Sequence, residues 1–137
     1  MTFQNPSKET IQSVLKDSKT IAVVGLSDKP HRTSYQISEA MKQAGYHIIP
    51  VNPTIDDWQG IAAYDSLSDV KEKIDIINVF RRSEFLPELA NEAAQIDAKS
   101  FWTQQGVYDE SAAETLAETD QVVIMDVCIK VAHALYI

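Results

Sequence analysis

The feature that most constrains this chain is an alternation repeated from end to end. Short β-branched or aliphatic runs take turns with stretches whose apolar residues recur every three or four positions. Residues 20–26 (TIAVVGL), 47–51 (HIIPV), 74–80 (IDIINVF), 100–103 (SFWT) and 121–125 (QVVIM) read as strands. Continuous apolar runs of this kind suit strands buried on both faces, the environment of a parallel sheet. With a helical stretch between successive strands, right-handed crossovers must cover the sheet on both sides. The expected fold is a single α/β Rossmann-like domain: an open parallel sheet of about five strands with helices on both faces.

The helical stretches have recognisable ends. Residues 7–17 predict a helix capped by Ser7, with Ile11, Val14 and Leu15 on one face. This is a helical extension (residues 1–18) ahead of the first strand, within one domain spanning 1–137. Residues 34–44 carry Ile37, Ala40, Met41 and Ala44 at helical spacing, and Gly45 stands where a left-handed residue would end the helix. Residues 54–73 are looser, a loop with a short strand and a helical turn. Ser83 is expected to cap a helix over 83–96 with Phe85, Leu89, Ala93 and Ile96 inward. Helices are also expected over 110–118 and 128–136.

Charge and composition narrow the partners. Twelve basic and twenty acidic residues among 137 give a net charge of −8. Such a surface is unsuited to nucleic acid or anionic lipid, which require clustered Lys and Arg. The longest apolar run is far shorter than the roughly 18 residues of a membrane helix. No signal-peptide pattern is visible at the N-terminus, so a cytoplasmic location is expected. The single Cys128 cannot pair within the chain, and no His, Cys and carboxylate set has metal-ligand spacing.

In an open parallel sheet, ligands bind beyond the carboxyl ends of the strands. The three arginines, Arg32, Arg81 and Arg82, all fall in loops at that edge, and Lys29 shares the first loop. Helix starts normally disfavour basic residues, so this placement points to a bound anion, for which the guanidinium fork is suited. The first loop has one glycine, Gly25, and no acid ends the second strand at Val51, Asn52 and Pro53. The dinucleotide fingerprint G-x-G-x-x-G and the Walker loop are therefore both missing. Trp58 and Trp102 read as packing residues. His31, His47 and His133 read as solvated or structural, and Cys128 as a space-filling residue.

Five ordered motifs at the five strand ends carry a family resemblance: VVGLSDKPHRTSY (residues 23–35), GYHIIPVNP (45–53), VFRRSEFLPE (79–88), FWTQQGV (101–107) and MDVCIKVAH (125–133). Together they resemble the small bacterial CoA-binding proteins, stand-alone Rossmann-like domains similar to the N-terminal CoA-binding domain of the succinyl-CoA synthetase α subunit. The resemblance runs from about residue 19 onward. It implies a nucleotide-binding edge with the ADP moiety of coenzyme A lying across the strand ends. Gly25, Leu26 and Ser27 would let backbone approach the phosphates. Lys29, Arg32 and Ser34 would supply charge and hydrogen bonds, and Tyr35 would pack on the ligand. Val51, Asn52 and Pro53 would border the adenosine, Phe80, Arg81 and Arg82 would flank adenine and phosphate, and Gln104 and Gly106 would line the far side. The last motif departs from the family pattern, with Val127 and Ala132 where Arg and Glu are usual. That weakens any role for Lys130 or His133.

The function this implies is binding of CoA or acyl-CoA by a carrier, sensor or regulatory module. No catalytic residue is assigned. Ligase chemistry is not implied, because the synthetase's phosphorylated histidine belongs to a later domain outside these 137 residues. The alternative is a small enzyme on an acyl-CoA or nucleotide substrate, using Asp126, Cys128 or Lys130. A third is a domain that acts through protein contacts alone.

Overall fold

The computed structural model describes residues 2–137. Helix α1 (Lys8–Asp17) comes first, followed by strand β1 (Thr20–Val24), helix α2 (Thr33–Gln43) and strand β2 (His47–Val51). A small antiparallel hairpin, β3 (Asp57–Trp58) with β4 (Ile61–Ala62), intervenes before β5 (Ile76–Val79). Then come α3 (Leu86–Ala93), β6 (Ser100–Thr103), α4 (Glu110–Leu116), β7 (Val122–Ile124) and α5 (Ile129–Tyr136). Five strands form one parallel sheet in the order β2-β1-β5-β6-β7. The chain is a single α/β Rossmann-like domain, as the alternation of elements requires.

Successive strand residues feed opposite faces of the sheet, and each face has its own core. On one side Ala22, Val24, Ile77, Val79 and Phe101 meet Leu86, Ala90 and Ala93 of α3 and Leu116 of α4. On the other, Ile21, Val23, Ile76 and Trp102 pack against α1, α2 and α5 through Leu15, Met41 and Ile129. Register explains the centre of the sheet: Ala22 sits between Ile49 of β2 and Ile77 of β5. Trp58 and Trp102 are both fully buried. The Trp102 indole N–H donates to the Val127 carbonyl at 2.9 Å, tying β6 to the loop before α5.

Local chemistry sets the ends of the elements. The Ser7 hydroxyl accepts from the Thr10 amide at 3.2 Å and caps α1. At the end of α2, Gly45 adopts φ +107°. Its N–H donates to Lys42 and that of Tyr46 to Met41, which together satisfy the last carbonyls of the helix in a Schellman arrangement. The hairpin turns through Gln59 and Gly60, both at positive φ (50° and 80°). The Gln59 amide then bonds Glu39 and Tyr35, and its carbonyl accepts from Lys42, clamping the hairpin onto α2.

One helix differs from expectation. Residues 83–85 form a 3₁₀ turn, and the α-helix begins only at Leu86. Ser83 is not its cap; the Ser83 hydroxyl accepts instead from the Tyr108 amide at 2.9 Å. The tighter turn shifts the phase of α3. Leu86, Ala90 and Ala93 are buried, while Phe85, Leu89 and Ile96 are only half-buried. In α2 likewise, Ser34 and Ser38 join Ile37 and Met41 on the inner face, and Ala44 is exposed.

Candidate functional site

The strand order decides where a ligand can sit. From β1 the chain goes to β2 on one side and then returns to β5 on the other, so the connections leaving β1 and β5 diverge. Such a switch point opens a crevice at the carboxyl edge of the sheet. Here that crevice is a cleft of about 760 Å³. Its size falls within the range of small-molecule sites, roughly 300–1,000 Å³.

The floor of the cleft is built by backbone. The Gly25 amide donates to the Val51 carbonyl and the Phe80 amide to the Val24 carbonyl, both at 2.8 Å, extending the ladders one residue past β1 and β5. Gly25 has φ +86°, and a Cβ there would lie 2.4 Å from the Phe80 carbonyl oxygen. Only glycine fits. On the β2 side the Asn52 side chain donates to the Leu26 carbonyl at 3.0 Å and accepts from the amide and hydroxyl of Thr54. That side chain staples the ends of β1 and β2 together and holds Pro53 and Thr54 at the rim.

The opposite wall comes from the turn after β5 and from α3. It carries Phe80, Arg81, Phe85, Glu88, Leu89 and Glu92, and Asp65, Ser66 and Leu67 close the end. Apolar surface from Val24, Val51, Leu67, Phe80, Phe85 and Leu89 thus faces one guanidinium and three carboxylates. Glu92 is engaged, accepting from the amide and hydroxyl of Ser68 at 3.1 and 2.7 Å.

Of the residues expected at the site, Gly25, Val51, Asn52, Pro53, Phe80 and Arg81 line this cleft. The others lie elsewhere. Leu26 is fully buried in the core beneath the first loop. The Ser34 hydroxyl accepts from the Ser27 amide at 3.0 Å, so these two close the loop on itself. Tyr35 packs edge-on to Trp58 with ring centres 5.5 Å apart. Lys29 and Arg32 are exposed, and Lys29 has Asp28 at 3.9 Å. Arg82 projects into solvent beside Glu84 at 3.6 Å. Gln104 is buried and meets the amide at the start of α5. The Gly106 amide donates to the Asp126 carboxylate at 2.6 Å.

Those last contacts belong to a network that fastens the loops after β5, β6 and β7 to one another. The Thr103 hydroxyl donates to the Val107 carbonyl and accepts from the Asp126 amide. Asp126 holds a left-handed conformation at φ 62°. Tyr108 hydrogen-bonds Glu110, and that bond raises the phenol pKa above its ordinary value.

Sequence reasoning missed Thr54, Asp65, Ser66, Leu67, Phe85, Glu88, Leu89 and Glu92. For Phe85 and Leu89 the signal is present but points to the core, because the 3₁₀ turn cannot be read from periodicity. For residues 65–67 no local signal exists, since pairing of Tyr64 with Val51 and the bonds from Ser68 to Glu92 bring that segment to the edge.

A family described as a CoA binding domain matches residues 19–134 of this chain. The chain belongs to that family. This CoA-binding domain is 58% identical over 132 residues to the uncharacterized protein YneT of Bacillus subtilis, covering 96% of this chain and 98% of that protein. It is also 28% identical over 81 residues to an ADP-forming acetate–CoA ligase of Methanocaldococcus jannaschii, but the match covers 59% of this chain and only 12% of the ligase. Among solved structures, cell-free ID.343 from Thermus thermophilus superposes with a TM-score of 0.91 at 29% identity, covering 96% of this chain and all (100%) of that one. The CoA-binding domain therefore occurs both as a small separate protein and as a segment of much larger ligases. Among the described residues no helix is long and apolar enough to cross a membrane.

Proposed function

We propose that this CoA-binding domain holds CoA or acyl-CoA by its ADP half in the cleft between the ends of β1 and β5, and serves as a carrier, sensor or regulatory module. The observation that carries the reading is the coincidence of the family's namesake ligand with a cleft at the switch point, floored by a glycine that no other residue can replace. The donor set suits the ligand. The absent side chain at Gly25 brings backbone close to a pyrophosphate, as phosphate-binding turns require. Arg81 offers a planar fork for phosphate oxygens. The apolar walls of Val51, Leu67, Phe80 and Leu89 suit a purine ring. The exposed Lys29 and Arg32 would add charge outside the cleft, and the pantetheine arm would extend toward solvent or a partner.

The test is calorimetric titration of the purified, ligand-free protein with CoA, dephospho-CoA, NAD and ATP at two salt concentrations. The expected result is preferential binding of CoA, weakened by salt as phosphate contacts are screened. Folded protein that binds none of the four would remove the reading.

A further inference from the structure

Phe85 belongs by its spacing with the core residues of its helix, yet the 3₁₀ turn leaves it half-buried on the wall of the cleft, next to Arg81. The Arg81 guanidinium carbon lies 4.4 Å from the centre of the Phe85 ring. This is stacking distance, well inside the limit of roughly 6 Å for a cation over an aromatic face. Among the described residues Arg81 is also the one cation lining the cleft, in the company of the carboxylates of Asp65, Glu88 and Glu92. Carboxylates in the same cleft attract a guanidinium, so what holds the arginine in place matters for its use. Among the described residues it has no ion-pair partner, whereas its neighbour Arg82, 5.9 Å from the same ring, is exposed and sits 3.6 Å from Glu84.

We infer that Phe85 is a positioning residue for anion recognition by Arg81. The ring face takes up the guanidinium plane, and the N–H edge stays available for an in-plane, bidentate bond to phosphate. The guanidinium is thereby held on the ring, and among the described residues it pairs with no carboxylate. The glycine floor contributes, because the Arg81 Cδ lies 3.1 Å from where a Cβ at position 25 would be, so the arginine stem crosses the very space Gly25 leaves open. The inference rests on the reading of this cleft as the CoA site and adds a residue to it.

The experiment measures CoA affinity by calorimetry, and adenosine affinity by chemical-shift titration, on the full chain. The variants are Phe85→Leu, Phe85→Tyr, Arg81→Ala and the double variant Arg81→Ala/Phe85→Leu. Circular dichroism confirms that each is folded, with Phe85→Met replacing the leucine variant should that one unfold. Phe85→Leu should weaken CoA about fivefold while leaving adenosine, which has no phosphate, within about twofold. Phe85→Tyr should restore CoA affinity to within about twofold of the wild type, since the ring face is kept. In the Arg81→Ala background, Phe85→Leu should cause no further loss. An equal loss for adenosine and CoA, or a loss that persists without Arg81, overturns the inference and makes Phe85 a direct ligand contact. Unchanged CoA affinity in Phe85→Leu overturns it as well. If wild-type protein binds no CoA at all, the site reading itself fails and the inference falls with it.

Discussion

Gly25 and Phe80 meet so closely that the carbonyl oxygen of Phe80 occupies the place of a side chain at position 25, 2.4 Å from the ideal Cβ. This contact joins the two connections that diverge at the switch point, and it defines the floor of the cleft. Gly25→Ala must therefore displace the turn after β5 as well as adopt a left-handed conformation, which alone costs about 1–2 kcal/mol. Both stability and CoA affinity should fall. Gly45 is the internal control: it too has positive φ, but nothing lies within 4 Å of its Cβ position. Gly45→Ala should lower the denaturation midpoint by backbone strain only and leave CoA affinity unchanged, as paired denaturant melts and titrations would establish.

The two adjacent arginines should behave differently. Arg81 lines the cleft without an ion-pair partner among the described residues, while the Arg82 side chain is 82% exposed beside Glu84. Arg81→Ala is expected to weaken CoA by about 1.5–3 kcal/mol, the range for a hydrogen bond to a charged group. Arg82→Ala should change it by less than about 1 kcal/mol, as for an exposed pair. Comparing CoA with dephospho-CoA tells which phosphate Arg81 holds. A larger loss for CoA assigns the ribose phosphate, and equal losses assign the pyrophosphate.

Leu15 of α1 is 1% exposed in the core shared with α2 and α5, on the face of the sheet opposite α3. Leu15→Ala should cost about 2–5 kcal/mol of stability, as for other buried leucines. It should leave the affinity of the folded protein for CoA unaltered, because α1 does not reach the cleft. Urea denaturation with and without CoA separates the two effects.

Acid should loosen α4. Asp109 caps it, and a hydrogen bond from the Ser111 hydroxyl, then one from the Ala112 amide at 2.9 Å, hold its carboxyl below the ordinary carboxylate range. A carboxyl pKa lower in the folded than in the unfolded chain stabilises the folded state fully above the unfolded value, about 4. That contribution is lost as pH falls below it through the folded value. Because Asp109 is largely solvated, the effect is small. Asp109→Asn should keep the cap and abolish this part of the acid sensitivity. Asp109→Ala should cost about 1 kcal/mol at neutral pH. Thermal melts from pH 3 to 7 distinguish the three proteins.

How much of the molecule is legible in its sequence differs from element to element. The five strands, the caps at Ser7 and Gly45, and the placement of Gly25 and Arg81 at the carboxyl edge come from local chemistry. Apolar runs, a hydroxyl ahead of a helix and a glycine behind one each act within a few residues of themselves. Leu26, Ser34 and Tyr35 share a motif with Gly25, which places them by expectation at the ligand. What the motif does not record is their packing: the Leu26 side chain lies in the core, the Ser34 hydroxyl closes the loop and Tyr35 sits against Trp58.

The alternation of strand and helix determined a parallel sheet with two cores, because apolar surface must be covered on both faces whatever the order of the strands. The order of residues also places the three arginines and Lys29 in loops at one edge. Only the tertiary structure decided that Arg81 among them lines the cleft. That choice depends on the strand order β2-β1-β5, on the 3₁₀ turn that swings Phe85 out beside Arg81, and on the bridge that draws residues 65–67 to the edge. Each is set by contacts between segments distant along the chain, and periodicity, which acts over one or two turns, carries no record of them.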